Sequence, residues 1–513
     1  MSRGNNMMAK PSFASPVNGV QCGSGFSHDL VRYLSRLKPL PPYFPTVLIS
    51  LAAIIGLSAC TPTRVNMPPQ PISPSHWQHA PAGQTTKDLK TWWQGFKDPI
   101  LNQLIGQALA KNQDLSIAKA RVREAKAMQT VAQSALYPSV DFSMTGGRQK
   151  QIERIVGVPG PKGIELITPT ADAISGGLTA RWEIDVFGSR QLQLESVAAE
   201  AQGAEVAINA VQVGLLAQVA TNYLELRGVQ QRQAILQQMI AVQREQLRAL
   251  QAFAKAGLSN ASDEARQQSF LHSIEAMQPL LSASADNLIH RLGVLLGQAP
   301  QKLITQLSPI AKPISAIPAI PRLLPADLLK QRPDVRYAET EVSAAAAQLG
   351  VAKADLLPKF QLAVSGGYGA LAVGGFPSLA DSIYTLGSGL TAPIFNAGRI
   401  QAQISAADAR LAQVAFNYEK TFLLALEDVE NAYVAHATSL QRQAHLAQAR
   451  NAGESRQQAL DQLYQQGAST YLAVLEAQRD ILSVRDEQTK TDTAEQVALV
   501  SLYRAFGGAW VEQ

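Results

Sequence analysis

Helix-period spacing gives way to strand-period spacing at two places in this chain, and the two places are copies of one another. From Asp114 to Gly147 and from Asp334 to Gly367 the same residues recur at a constant offset of 220. Asp114 matches Asp334, Ala118 matches Ala338, Val122 matches Val342 and Ala125 matches Ala345. Further on, Ala132, Leu136, Pro138 and Gly146–Gly147 match Ala352, Leu356, Pro358 and Gly366–Gly367. Each copy begins as an Ala-rich run of helical period and reaches a Leu-x-Pro stop, where the residue before proline leaves the helical region. Alternation follows at once, with Val140, Phe142 and Met144 in one copy and Phe360, Leu362 and Val364 in the other. The organising unit is therefore a tandem repeat of a helix running into a strand.

The surrounding pattern extends each unit. Asp98-Pro99, a capping residue followed by proline at the first helical position, starts a helix that reads on to Leu136 with a break near Asn112-Gln113-Asp114. Strands are expected at 139–149 and about 174–184, joined by a Gly/Pro loop, and at 359–369 and 384–395, joined by the loop Ala370–Asp381. Strands near this length with polar, Gly-bearing loops suit transmembrane β-strands. Gln191–Ala256 and Ile400–Gln466 contain no proline, so two helices on the order of 100 Å are expected. Leu236, Ile240, Leu247, Leu250 and Ala254 predict coiled-coil-like packing. Ala198, Ala199, Ala201, Ala204 and Ala402, Ala406, Ala407, Ala409 predict close helix approach near the strands. Each long helix ends at a glycine in a polar turn, Gly257 or Gly467, and helices return over about 263–296 and 471–506. Pro279 should kink the first of these. Ala299–Pro325 carries Pro300, Pro309, Pro313, Pro318, Pro321 and Pro325 and reads as a non-helical connector between repeats.

The first 59 residues read as an export signal. Arg32, Arg36 and Lys38 precede the apolar run Val47–Gly56, a basic segment before a hydrophobic one. The run is short for a membrane span, and Pro62 and the Pro-rich Pro68–Pro74 follow. An uncleaved transmembrane helix is therefore the weaker reading. Leu57-Ser58-Ala59-Cys60 resembles a bacterial lipobox. That resemblance implies cleavage before Cys60 and a diacylglycerol and an N-acyl lipid on it, and Thr61 implies outer-membrane sorting. Several acyl chains anchor stably where one does not. The basic segment is long, and Met7 or Met8 is an alternative start. The expected organisation is signal 1–59, lipid tether and belt segment 60–97, first repeat 98–298, connector 299–326 and second repeat 327–513.

Composition removes several function classes. The formal charge is +5, but the signal carries Arg3, Lys10, Arg32, Arg36 and Lys38 against Asp29, so the mature chain is nearly neutral and basicity gives no reason to expect nucleic acid. The two cysteines are Cys22, which leaves with the signal, and Cys60, so no disulfide or catalytic thiol is expected. No P-loop, nucleophile motif or metal motif is present, and an enzyme is the least favoured reading; His76-x-x-His79 is a weak metal signal in an expected tether. Four strands in lipid would leave unpaired N–H and C=O groups along two open edges, at several kcal/mol each. The strands must close with other copies, and a barrel needs at least eight.

A set of motifs spans nearly the whole mature chain: Asp98-Pro99, Leu136-Tyr137-Pro138, Trp182–Gly188, Leu329-x-x-Arg332-Pro333-Asp334-Val335, Pro393-Ile394-Phe395-x-x-Gly398-Arg399, and the Gly257 and Gly467 turns. On these residues the chain resembles TolC-like outer-membrane efflux factors, in particular the NodT-type lipoprotein branch serving RND multidrug pumps. The resemblance implies an α+β membrane protein: a homotrimer with a 12-stranded outer-membrane β-barrel continued by a periplasmic α-helical barrel, belted by the connector and terminal segments. It implies passive conduction from an inner-membrane RND transporter through a periplasmic adaptor. It implies a periplasmic aperture lined by Glu476, where Ala473 departs from a second acidic position, and a latch between Asp263 and Tyr464. The bland alternatives are that Glu476 is merely solvated and that Asp263 only caps its helix. A type I protein-secretion conduit shares this architecture, although the lipobox, Trp182–Gly188 and Arg332–Val335 favour the RND branch. A structural coiled-coil envelope lipoprotein would leave four amphipathic strands unexplained.

Overall fold

The computed structural model of the chain describes residues 65–80, 89, 91–150, 156–160, 163–167, 170–257, 261–321, 323–373, 376–377 and 381–508. These belong to one unit, Pro62–Gln513. The expected export signal, Cys60 and turn residues 258–260 lie outside the described residues.

Caps set the helix starts. The Asp98 carboxylate accepts from the N–H groups of Ile100 and Leu101 at 2.8 and 3.0 Å and opens α1 (Pro99–Lys111). Asn112 repeats the device for α2 (Gln113–Ser134), accepting from Leu115 N–H at 3.0 Å, so the expected break is a recapped junction. After α2 come β1 (Ser139–Lys150), β2 (Val156–Gly160), β3 (Gly163–Ile167), β4 (Thr170–Ile184), α3 (Ser189–Lys255), α4 (Ala261–Glu275) and α5 (Met277–Leu295). The second repeat is α6 (Pro333–Ala354), β5 (Lys359–Val373), β6 (Phe376–Pro377), β7 (Asp381–Thr391), α7 (Arg399–Gln465) and α8 (Tyr471–Ala505).

The duplication is exact in length for two pairs of helices. Both α2 and α6 have 22 residues, and both α3 and α7 have 67. The offset of 220 holds from Gln113 and Pro333 to the first strands, then becomes 210, as from Gly188 to Gly398 and from Gly257 to Gly467. The difference lies in the first strand connection. That connection was expected to be a plain loop, and instead holds the β2–β3 hairpin. Strand ends differ too. β5 runs on to Val373 and pairs with β6, whereas β7 stops at Thr391, two residues before Pro393, which has no N–H for a ladder. The kink falls at Ala276, just before Pro279, whose ring removes the hydrogen bond to the Glu275 carbonyl. The connector is partly helical at its ends, with turns at Pro300–Leu303, Ile304–Leu307, Pro325–Asp327 and Leu328–Gln331.

The long strands form one antiparallel sheet in the order β1-β4-β5-β7, with Ser139 opposite Arg181, Ile184 opposite Phe360 and Lys359 opposite Thr391. Val140, Phe142, Met144, Leu178, Val364, Tyr368, Tyr384, Leu386 and Leu390 share one face and are all exposed. The other face carries Asp141, Ser143, Thr145, Ser175, Thr179, Ser365 and Thr385. Both faces are bare, one apolar and one polar, as in a sector of a membrane barrel. Helices follow the same lateral order. Next to the sheet, α2 packs on α3, α3 on α6 and α6 on α7; beyond, α4 and α5 pack on α3, α3 on α8 and α8 on α7. Hence β1, α2 and α4–α5 make one flank, and β7 with α7 the other.

Candidate functional site

Among the described residues there is no metal-ligating cluster; the candidate functional parts are a channel wall, the belt that ties it, and its far tips. The wall depends on the turn from strand into helix. Trp182 Nε1 donates to the Leu136 carbonyl at 3.0 Å, joining the end of β4 to the end of the α2 run. Glu183 accepts two hydrogen bonds from Arg190 at 2.8 and 3.2 Å. Asp185 accepts from the Gln191 N–H at 2.8 Å, at the start of α3. Phe187 is buried against Phe360, and Gly188 turns at φ +76°. Trp182, Glu183, Asp185, Phe187 and Gly188 thus each have a task in aiming α3 away from the sheet. The second repeat uses Asn396, whose Oδ1 accepts from Ile400 N–H at 3.4 Å, and Gly398 at φ +81°.

The belt consists of the connector and the N-terminal segment. Six prolines remove donors from the connector, and its carbonyls need partners. The helices supply them. Gln230 donates to the Leu307 carbonyl at 2.5 Å, Gln496 to Ile314 at 2.8 Å, Tyr433 to Pro321 at 3.1 Å, and Tyr503 to Ala319. The connector therefore crosses α3, α8 and α7 in turn. Trp77 is buried here, donating to the Leu323 carbonyl at 2.6 Å and edge-on to Tyr433 and Phe506. Trp77 thus anchors the segment expected to serve as lipid tether and belt. His79 contacts Glu430 at 2.9 Å and His76 contacts Ser75 at 2.9 Å, so the two histidines take separate partners. Trp92 stacks on Tyr503 with centroids 5.0 Å apart.

Arg332, from the Arg-Pro-Asp motif, is the polar hub beneath the belt. It is buried at the start of α6 and bonds Asp334 at 2.6 and 3.0 Å, Asp428 of α7 at 3.0 Å and the Ala505 carbonyl of α8 at 3.0 Å. Burial opposes the Asp334 charge, but Arg332 prevails and holds that carboxyl below its ordinary range.

At the tips, Gly257 and Gly467 have φ of +74° and +73°, the left-handed values that favour glycine. Ala468 N–H donates to the Leu463 carbonyl at 2.8 Å and Gly467 N–H to Tyr464 at 3.0 Å, a Schellman closure of α7. Thr470 caps α8 through the Ala473 N–H at 3.3 Å. Glu476 is exposed between buried Leu475 and Ala477, and it has no ion pair with a described residue. The structure does not pair Asp263 with Tyr464 within the chain. Asp263 lies 3.7 Å from Arg266, and the Tyr464 ring packs on Tyr471 with centroids 5.5 Å apart. The two hairpins instead meet through the apolar cluster of Val242, Leu475 and Leu482, and where the Arg479 guanidinium lies 5.9 Å from the Phe270 ring centroid, with Arg479 also bonded to Asp480 at 2.7 Å. Sequence reasoning missed this contact because no periodicity links residues on separate hairpins.

A repeated helix–strand–helix wall with an amphipathic sheet defines an outer-membrane channel, and residues 104–298 and 324–508, the two repeats, match the model of the outer membrane efflux protein family. The chain belongs to that family and is an outer-membrane efflux channel. It is 32% identical over 468 residues to the pyoverdine export outer membrane protein OpmQ of Pseudomonas aeruginosa, covering 90% of this chain and 96% of the relative. It is 30% identical to the solvent efflux pump outer membrane protein SrpC of Pseudomonas putida, covering 81% and 86%. Among solved structures, the outer-membrane channel OprN is similar with a TM-score of 0.76 and 30% identity, covering 87% of this chain and 98% of that one. The open-state MtrE channel of Neisseria gonorrhoeae shares the fold at a TM-score of 0.74 and 22% identity, covering 88% and 98%.

Proposed function

We propose that three copies close into a 12-stranded barrel and conduct small organic molecules passively outward, delivered by an inner-membrane RND transporter through a periplasmic adaptor. The observation that carries this is the sheet open at both edges, apolar on one face and polar on the other, continued by helices in the same lateral order. Relatives named for pyoverdine, solvent and toluene export support cargoes of this size. Cys60 carries the lipid that holds the chain at the outer membrane. Glu476 from each copy faces the periplasmic mouth, and Asp263 and Tyr464, apart in the single chain, stand on the hairpins that separate when it opens.

Purified protein in planar bilayers should give discrete cation-preferring conductance, and Glu476→Gln should reduce that preference. An absence of channels from correctly assembled protein would overturn the reading. Cys60→Ser should abolish labelling by radioactive fatty acid. If Tyr464→Phe leaves conductance and closed times unchanged, the latch is discarded while the channel stands.

A further inference from the structure

The helices of the wall present two different sides. On one, the connector takes hydrogen bonds from Gln230 of α3, Gln496 of α8 and Tyr433 of α7. On the other, a groove of about 580 Å³ opens between the same three helices. At 3.6 residues per turn, Glu225 in the groove stands about 140° around α3 from Gln230, Ser501 about 140° around α8 from Gln496, and Ala435 about 160° around α7 from Tyr433. In the closed multi-copy wall the belt takes the outside, where it leaves the path clear, so the groove opens into the bore. Its hollow comes from small residues: Ala432, Ala435, Ala494 and Ala498 line it where α7 and α8 meet. Its volume is that of a small-molecule site, roughly 300–1,000 Å³.

Four charged side chains line the groove, and two of them are already engaged. Asp428 is bonded to Arg332 at 3.0 Å, and Lys490 to Asp486 at 2.8 Å and Glu487 at 2.6 Å. Glu225 and Arg504 have no ion pair or side-chain hydrogen bond with a described residue. Glu225 is half-buried, and burial raises its pKa with no cation to offset it. The helices fix how far apart these two stand. Gly228 lies against Thr493 and Arg232 bonds Asp486, so α3 and α8 run antiparallel. Glu225 is therefore level with Gln496, and Arg504 is eight residues, about 12 Å, nearer the sheet. Val497 and Ala498 lie between those levels and line the groove. We propose that this groove binds zwitterionic amphiphiles, with an ammonium group at Glu225, a carboxylate at Arg504 and a short hydrocarbon body across Val497 and Ala498. This rests on the channel reading above and adds to it a chemical class of cargo held in passing on the wall. A guanidinium fork matches a carboxylate, and the apolar floor takes hydrocarbon out of water. A cargo too short for the span leaves one charge unmatched.

The test titrates straight-chain ω-amino acids of four and eight carbons against the detergent-solubilised oligomer, read by saturation-transfer NMR with empty micelles as the blank. The eight-carbon acid should bind, and the four-carbon acid about tenfold more weakly, the loss of one charge-assisted bond. Glu225→Gln and Arg504→Gln should each weaken the eight-carbon acid by about the same factor. Ser501→Leu keeps both charges, fills the space between them and should also weaken binding. All three variants should keep the wild-type thermal midpoint, because none of these side chains is bonded to a described residue. Equal binding of the two chain lengths overturns the two-ended fit. Binding that ignores both charge variants, or no binding by protein that still conducts in planar bilayers, overturns the site and leaves the channel standing. Binding with the expected pattern but no conductance upholds the site and overturns the channel reading.

Discussion

Arg332→Ala should loosen the junction of three helices under the belt. Arg332 is 8% exposed and ties α6 to α7 and α8 through two carboxylates and a carbonyl. Breaking a buried ion pair by removing one partner costs about 3–5 kcal/mol. That figure needs discounting, because the Asp334 and Asp428 side chains are 43% and 46% exposed and water would take up their charge. Loss of the Ala505 carbonyl bond adds about 1 kcal/mol, so a net cost of about 3 kcal/mol is expected. For domains of 150–250 residues each kcal/mol is worth about 2–4 °C, and less in a longer chain, so the thermal midpoint should fall by about 5 °C. Arg332→Lys keeps the charge, loses the two-pronged bond to Asp334 and should recover part of the loss. Far-UV circular dichroism of the detergent-solubilised protein reads the midpoint. The Asp334 carboxyl is held below its ordinary value, so its contribution is present above the normal carboxylate range and is lost as pH falls through the folded value. Acidification should therefore narrow the gap between wild type and Arg332→Ala. An unchanged midpoint in Arg332→Ala, or a gap that widens in acid, refutes the reasoning.

Gly228 of α3 lies so close to α8 that an added Cβ would sit 2.9 Å from Thr493 Cγ2 and 3.1 Å from its Cβ. Gly228→Ala should destabilise by about 1–3 kcal/mol, and Thr493→Ala in the same chain should restore most of it in a double-mutant cycle. Trp182→Phe deletes the 3.0 Å bond to the Leu136 carbonyl and should cost about 1 kcal/mol, measured by the same thermal midpoint. His436 of α7 is buried with neither ring nitrogen hydrogen-bonded, and its Nδ1 lies 4.0 Å from Glu495 of α8. Burial lowers its pKa from the usual 6.5, partly offset by Glu495. Its neutral form is the one the fold accommodates, so stability is full above the ordinary value and declines as pH drops toward the folded one. Between about pH 7 and about pH 5 the wild-type midpoint should fall more than that of His436→Leu.

The repeat was readable because its cause is local. Asp98, Pro138, Pro358, Gly257 and Gly467 act on their own neighbours, and every one ends or begins a helix where its chemistry demands. The strand faces were readable from alternation alone. What was hidden depends on residues far apart in sequence. Nothing near Trp77 says that it will bury against Tyr433 and Phe506, more than 350 positions away, and the Pro-rich stretch around it reads as tether. The β2–β3 hairpin was hidden because Gly and Pro dominate it, and Pro159 and Pro161 argue against a strand. The resemblance brought Asp263 and Tyr464 forward as a pair, yet in the single chain each has nearer company. Conversely, Arg479 with Phe270, and Val242 with Leu475 and Leu482, join the hairpins without any local mark.

The two long helices are equal in length and unequal in how much they bury within one chain, and their places in the wall explain why. In α3, 23 residues are buried, whereas α7, of the same 67 residues, buries 11. Toward its tip, α7 is joined to α8 by ion pairs: Arg456 with Asp480 at 2.9 Å, Arg485 with Glu454 at 3.5 Å, and Arg442 with Glu487 at 2.5 Å. Pairs this exposed are worth about 0–1 kcal/mol each and weaken in salt. By contrast, the first hairpin packs Leu236, Ile240, Leu271 and Ile274 together as an apolar cluster. Within one chain α7 is thus the open flank, whereas α8 is seated on α3 through Val242, Leu475 and Leu482 and through Arg232 with Asp486 at 2.8 Å. Near the sheet the balance reverses, because Arg332, the belt carbonyls and the strand pairing fix both repeats alike. Beyond Ser439 no residue of α7 is buried within the chain, whereas Arg332 and the belt hold the helix at Asp428 and Tyr433, so its far end is the less constrained part of this flank.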